Sequence, residues 1–211
     1  MEKPFFESAS TILDGGYILN PRLSGRGMAE IELAAMLEAE MRALGHSGSL
    51  RFRRFNQELP MGHLMAGPSA AYPSFVASPT GGIGPSLLQP QGPGFRKIRK
   101  NEPILVDYGG VYNGYIADET RIFSLGPLSK ELEEAHAAAL EVERGIAESL
   151  RPGNSGREIY EISEALGEGW ATETASAGLS KQNARLAGTV CVRTSRVAHR
   201  PAYRAFESLY E

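Results

Sequence analysis

Ile31, Ala34, Leu37, Met41 and Leu44 recur at steps of three and four, with Glu32, Glu40 and Arg42 between them. That period sets the apolar residues on one stripe and predicts an amphipathic helix from Met28 to Leu44, with Gly45 as its stop. Leu132, Ala135, Ala139, Val142, Ile146 and Leu150 form a second stripe. It predicts a helix over 129–150 that opens at Ser129 with Glu131 in its first turn and ends at Pro152-Gly153. Ser155 and Glu158 make an S-x-x-E start for a third helix, which buries Ile159, Ile162 and Leu166 and is closed by Gly167.

The period changes in the middle of the chain. Ile104–Tyr108, Val111–Ile116 and Thr120–Ser124 are rich in β-branched and aromatic residues and punctuated by glycine, so they read as strands. Two of them are expected to pair as an antiparallel hairpin. Residues 60–95, with PTGGIGP at 79–85 and QPQGPG at 89–94, read as one long loop of the kind that is functional or disordered. PTGGIGP lacks the lysine a phosphate-binding loop requires. Residues 1–27 have no sustained period, and 168–211 have neither a helical nor a strand one. The expected organisation is an irregular entry over 1–27, one folded body over 28–167 and a divergent, poorly ordered tail over 168–211.

Composition narrows the function classes. Apolar residues are 42% and charged residues 22% of 211, ordinary for one globular domain. A net charge of −3 gives no electrostatic case for nucleic acid or an anionic membrane. Arg51, Arg53 and Arg54, and Arg96, Lys97, Arg99 and Lys100, read as solvated surface. The single Cys191 cannot form an internal disulfide, which suggests a cytoplasmic protein. No apolar run reaches the roughly 18 residues a membrane span needs, and Glu2 and Lys3 do not open a secretory signal.

The candidate chemistry lies in ILVDYGGVYNGYIADETRIF, where Asp107 and Asp118 stand eleven residues apart. A fold-back midway, at Tyr112 and Asn113, makes them cross-strand neighbours with Cβ atoms roughly 4.5–5.5 Å apart. Like charges so placed destabilise a sheet unless a shared proton or a cation offsets them, so the pair reads as half of a metal site. His63 has two readings: a proton donor at the mouth of a substrate cleft, or a loop or strand-end histidine with a satisfied hydrogen bond. His136 reads as a packing residue, and His46 as a partly charged imidazole at a helix end.

Asp107-Tyr108-Gly109 and, eleven positions on, Asp118-Glu119-Thr120-Arg121 resemble the first metal-ligand hairpin of the pita-bread metallopeptidases. These are the Xaa-Pro aminopeptidases, Xaa-Pro dipeptidases (prolidases), methionine aminopeptidases and creatinase. GMAEIELAAMLEAEMRALG resembles the family's helix after a Pro-Gly-Met-Thr-Glu start, with Ala29 for the capping threonine. Leu150-Arg151-Pro152-Gly153 resembles the turn between its next two helices. The likeness covers 27–167 and implies an α/β (α+β) fold, the first half of a pita-bread domain with an antiparallel sheet and helices on one face. It implies two divalent metal ions (Mn, Co or Zn), with Asp107 holding one and Asp118 bridging both. Thr120 would support the Asp118 carboxylate, with Arg121 beside it.

The same resemblance implies a metal-dependent hydrolase acting on N-terminal peptide bonds of a peptide substrate. Two rivals stand beside it, a non-catalytic peptide-binding module and a creatinase-like C–N hydrolase. The family's Pro-His pair is matched here by Pro73-Ser74. Its Gly-His-Gly and two later glutamates have no counterpart, since His199 sits in AHRPA and Glu207 and Glu211 close the chain. Weak or no catalysis is therefore expected, along with self-association, for instance as a homodimer. A truncation or a shifted reading frame after about residue 167 would account for the gap. Codons for Gly188-Thr189-Val190, read one base earlier, can spell Gly-His-Gly.

Overall fold

The computed structural model describes residues 27–51, 58–72 and 80–176. Pro73-Ser74, Arg53, Arg54, Cys191, His199, the entry before residue 27 and the tail beyond 176 lie outside the described residues. The chain divides into two compact units, Met1–Leu128 and Ser129–Glu211.

The first unit is built on helix α1 (Glu30–Ala43) and a three-stranded antiparallel sheet. Two short strands, β1 (Leu50–Arg51) and β2 (Glu58–Leu59), pair apart from it. The sheet has the order β3 (Gly62–Ala66), β4 (Pro103–Tyr112), β5 (Tyr115–Ser124). Strand β3 falls inside the stretch expected to be a loop. Its GHLMA contains no β-branched residue, so the strand signal was absent while its burial against α1 decided the outcome. A five-residue 3-10 turn, Gly67–Ala71, follows it.

Side chains alternate across a strand, so each face can be read from the register. One face carries Leu64, Ala66, Ile104, Val106 and Tyr108, which close on Leu33, Ala34, Leu37 and Met41 of α1. That is the helical stripe the sequence predicts. Ala29 cannot cap α1 with its side chain, yet Glu32 Oε2 accepts the Ala29 N–H at 2.6 Å and pairs with Lys97 Nζ at 3.2 Å. Half of a capping box therefore survives the loss of the threonine. At the other end His46 N–H donates to Met41 O and Gly45 N–H to Arg42 O, with Gly45 at φ +104°. This paired closure is a Schellman motif and stops the helix where expected.

His46 is not the charged end-cap anticipated. Its ring is buried: Gly48 N–H donates to Nδ1 at 2.8 Å, so Nε2 carries the proton and donates to Gly109 O at 2.7 Å. Burial pushes its pKa below the usual 6.5, the Gly109 bond opposing and Arg42 reinforcing the shift. The unfolded chain therefore takes up a proton before the folded one. Stability is complete above about pH 6.5 and declines as pH falls toward the folded value, by at most about 1.4 kcal/mol per pH unit. Urea midpoints between pH 7.5 and 5.5 should show this slope, and His46→Asn should reduce it while lowering the plateau. Half-buried His136 in the second unit adds a slope of the same sign, which the difference between the two proteins removes.

The second unit is a helical hairpin, α2 (Lys130–Ser149) and α3 (Gly156–Ser176). Ser129 accepts the Leu132 N–H, and Ser155 and Glu158 form the reciprocal box, with Ser155 N–H to Glu158 Oε2 at 2.7 Å. Leu166 sits where a side chain at Gly145 would stand. Gly167 does not end α3, which runs on to Ser176; a helix interior tolerates one glycine at a cost of about 1 kcal/mol. Among the described residues no helix is long and apolar enough to cross a membrane.

Candidate functional site

The β4–β5 hairpin turns at Asn113 (φ +49°) and Gly114 (φ +86°) and closes on the pair Tyr112 and Tyr115. Both central residues are left-handed, the type I′ arrangement that Asn-Gly favours. The turn is thus centred one position later than the midpoint of the two aspartates. Asp107 pairs with Thr120, and Asp118 pairs with Gly109. The expectation of direct opposition is corrected: the two carboxylates are diagonal neighbours, at positions roughly 7–8 Å apart. They nevertheless share a face, because 107, 109, 118 and 120 all alternate to the side away from α1.

His63 joins them there, since β3 pairs His63 with Asp107. Its Nε2 donates to Asp107 Oδ2 at 2.8 Å, and Thr120 Oγ1 donates to Asp107 Oδ1 at 2.6 Å. The Asp107 side chain is 12% exposed and that of His63 14%. Thr120 therefore supports the first carboxylate rather than the second. Asp118 lies on the exposed part of the same face. Arg121 lies on the opposite face, where its guanidinium pairs with the buried Glu119 and donates to Thr120 O at 2.9 Å. Its role is to hold β5, one pleat away from the aspartates.

Two neighbours bound this strip of sheet. Leu50 of β1 sits where a side chain at Gly109 would project, and Gly82 lies against the sulfur of Met65. Arg96, expected to be solvated, instead forks onto Glu102 at 2.7 and 2.6 Å. That bidentate bond raises the Arg96 pKa and holds Glu102 below the usual carboxylate range. Sequence reasoning also passed over Glu30, which is fully buried at the start of α1. An acidic residue in a first helical turn reads as a dipole partner, and nothing local marks it as buried.

The chemistry of the donor set tests the implied metals. Asp107 has both oxygens engaged by protein donors, and Asp118 is one further carboxylate on the diagonal. Among the described residues no group of three or more His, Cys, Asp or Glu is placed to hold a metal ion. Divalent ions of this kind take near-octahedral sets of ligands, so the described residues alone do not fit a two-metal centre.

Comparison with known proteins gives the relationship. A model of metallopeptidase family M24 matches residues 9–190. An uncharacterized peptidase of Staphylococcus aureus (strain USA300) is 35% identical over 85 residues, 40% of this chain and 24% of the relative. Among solved structures, the X-Pro aminopeptidase from Thermotoga maritima MSB8 superposes with a TM-score of 0.61 at 23% identity, covering 78% of this chain and 40% of that one. The dipeptidase PepE from Mycobacterium ulcerans gives 0.63 at 23% identity, covering 84% and 39%. The prolidase from Pyrococcus furiosus gives 0.62 at 20% identity, covering 80% and 43%. The chain thus spans about a quarter of the curated relatives and two fifths of the solved chains it matches. The helices, the antiparallel sheet and the aspartate hairpin are part of a pita-bread fold, and the chain belongs to metallopeptidase family M24.

Proposed function

We propose that this chain carries the aspartate-bearing part of a peptidase of the Xaa-Pro aminopeptidase or dipeptidase type, which acts on bonds at the N-terminus of peptides. The observation that carries the reading is the shared face: Asp107, Asp118, Thr120 and His63 project from one side of a sheet whose other side is sealed by α1. Relatives named as peptidases, and solved structures named as X-Pro aminopeptidase and prolidase, support it. Divalent ions, where a complete donor set holds them, supply a Lewis acid and an activated water. A second reading, peptide binding without turnover, is favoured by the incomplete donor set among the described residues.

The test is to present the purified full chain, with Mn2+ or Co2+, with proline-containing dipeptides and longer peptides. The expected result is peptide binding with slow turnover that Asp118→Asn abolishes. Asp118 is exposed, and the near-isosteric asparagine is expected to leave the fold intact, which a urea midpoint beside the unaltered chain checks. Binding without turnover would assign the module instead, turnover of creatine alone a C–N hydrolase. No peptide binding at all would remove the proposal.

A further inference from the structure

The geometry points to His63 as a residue that closes Asp107 to metal ions, so that the hairpin is satisfied by protein donors alone. This inference rests on the proposed site but adds a control on it. Asp107 sits in the middle strand of the sheet, flanked by His63 on β3 and Thr120 on β5. One oxygen accepts from the threonine at 2.6 Å and the other from the imidazole at 2.8 Å. All three side chains are largely buried, so these bonds replace water rather than compete with it. Each oxygen keeps a second lone pair, but a cation on Oδ2 sets its charge against the Nε2 proton 2.8 Å from that oxygen, so the histidine bond and the ion disfavour one another. His63 acts through Asp107, as a positioning residue.

A histidine that were itself a metal ligand, or that merely packed, gives a different pattern on substitution. His63→Ala removes the donor, and His63→Gln keeps an N–H at about the same reach along the side chain. The full chain and both variants are stripped with chelator, then titrated with Mn2+ and with Co2+ by calorimetry, with bound metal counted by mass spectrometry. His63→Ala is expected to bind about tenfold more tightly than the unaltered chain, the factor that one hydrogen bond to a charged group is worth. In chelator alone, His63→Ala should melt below the unaltered chain and His63→Gln close to it. Adding Asp107→Asn to His63→Ala should abolish the gained affinity.

Equal affinity in the two proteins, whether both bind or neither does, overturns the inference, as does weaker binding by His63→Ala. Gained affinity that survives Asp107→Asn overturns it too, because the ion would then sit elsewhere. A His63→Gln variant as unstable as His63→Ala assigns a packing role and does the same. Peptide binding is read separately on the unaltered chain, so a failed peptidase proposal is told apart from a failed closure.

Discussion

Glu30→Ala is expected to lower the stability of the first unit by about 3–5 kcal/mol. Glu30 has no solvent exposure, and its two oxygens gather three donors from distant parts of the chain. Oε1 accepts from Ala66 N–H at 2.9 Å and from the Ser69 hydroxyl; Oε2 accepts from Gly94 N–H at 3.1 Å. The Glu30 and Ile31 amides in turn donate to Arg96 O and Gly94 O. One side chain thus ties the start of α1 to the end of β3 and to the segment leading into β4. Removing it leaves a buried Gly94 amide without an acceptor, each such group costing about 1–3 kcal/mol, and opens a cavity besides. Ala66 N–H keeps only its 3.1 Å contact with Ser69 Oγ. Glu30→Gln should cost less, because its carbonyl oxygen can still serve Ala66 and Ser69. Urea unfolding would check both, with amide exchange at Gly94 accelerated in the alanine variant. A loss below about 1 kcal/mol for Glu30→Ala would show that the network is dispensable.

What the sequence made legible was whatever is written in local period and local caps. The α1 stripe, its Gly45 closure, the Ser129 cap and the Ser155-Glu158 box all depend on residues within one or two turns of each other. Glycine as a strand break predicts three segments around the aspartates, Val111–Ile116 among them. Gly109 and Gly110 instead lie inside a ten-residue strand, and the only left-handed pair there is Asn113-Gly114. Asn-Gly between alternating residues was the available signal for the turn.

The consequence for the site was limited by the pleat itself. Moving the turn centre by one position shifts the partner of Asp107 by two residues, from Asp118 to Thr120. Two residues is one full pleat repeat, so the shared face survived and the direct opposition did not. His63 was harder. Its contact with Asp107 spans 44 residues of sequence and exists only because a strand without strand-like composition pairs with β4. The same holds for Glu30, whose donors lie 36 to 64 residues away. Non-local pairing is what neither period nor propensity encodes.

Gly62→Ala should be the most disruptive small substitution in the sheet, at about 3 kcal/mol or more. A Cβ at Gly62 would stand 2.5 Å from the Tyr108 Cα and 2.6 Å from its Cγ, and closer still to the Asp107 carbonyl oxygen. Two of those atoms are backbone, so no rotamer relieves the clash. The vacancy has a use: opposite Gly62, the Tyr108 ring covers the strand and its hydroxyl reaches Glu38 Oε1 on α1 at 3.1 Å. Burial raises the Glu38 carboxyl pKa, and the tyrosine bond partly offsets that. Displacing β3 would strain this link and draw His63, the next residue, off Asp107. Thermal and urea unfolding measure the loss, with near-ultraviolet dichroism reporting on Tyr108. Because backbone atoms set the conflict, Gly62→Ala made in a Tyr108→Ala background should still cost about 2 kcal/mol relative to Tyr108→Ala alone. If that second background absorbs the substitution without loss, the ring rather than the strand is what Gly62 accommodates.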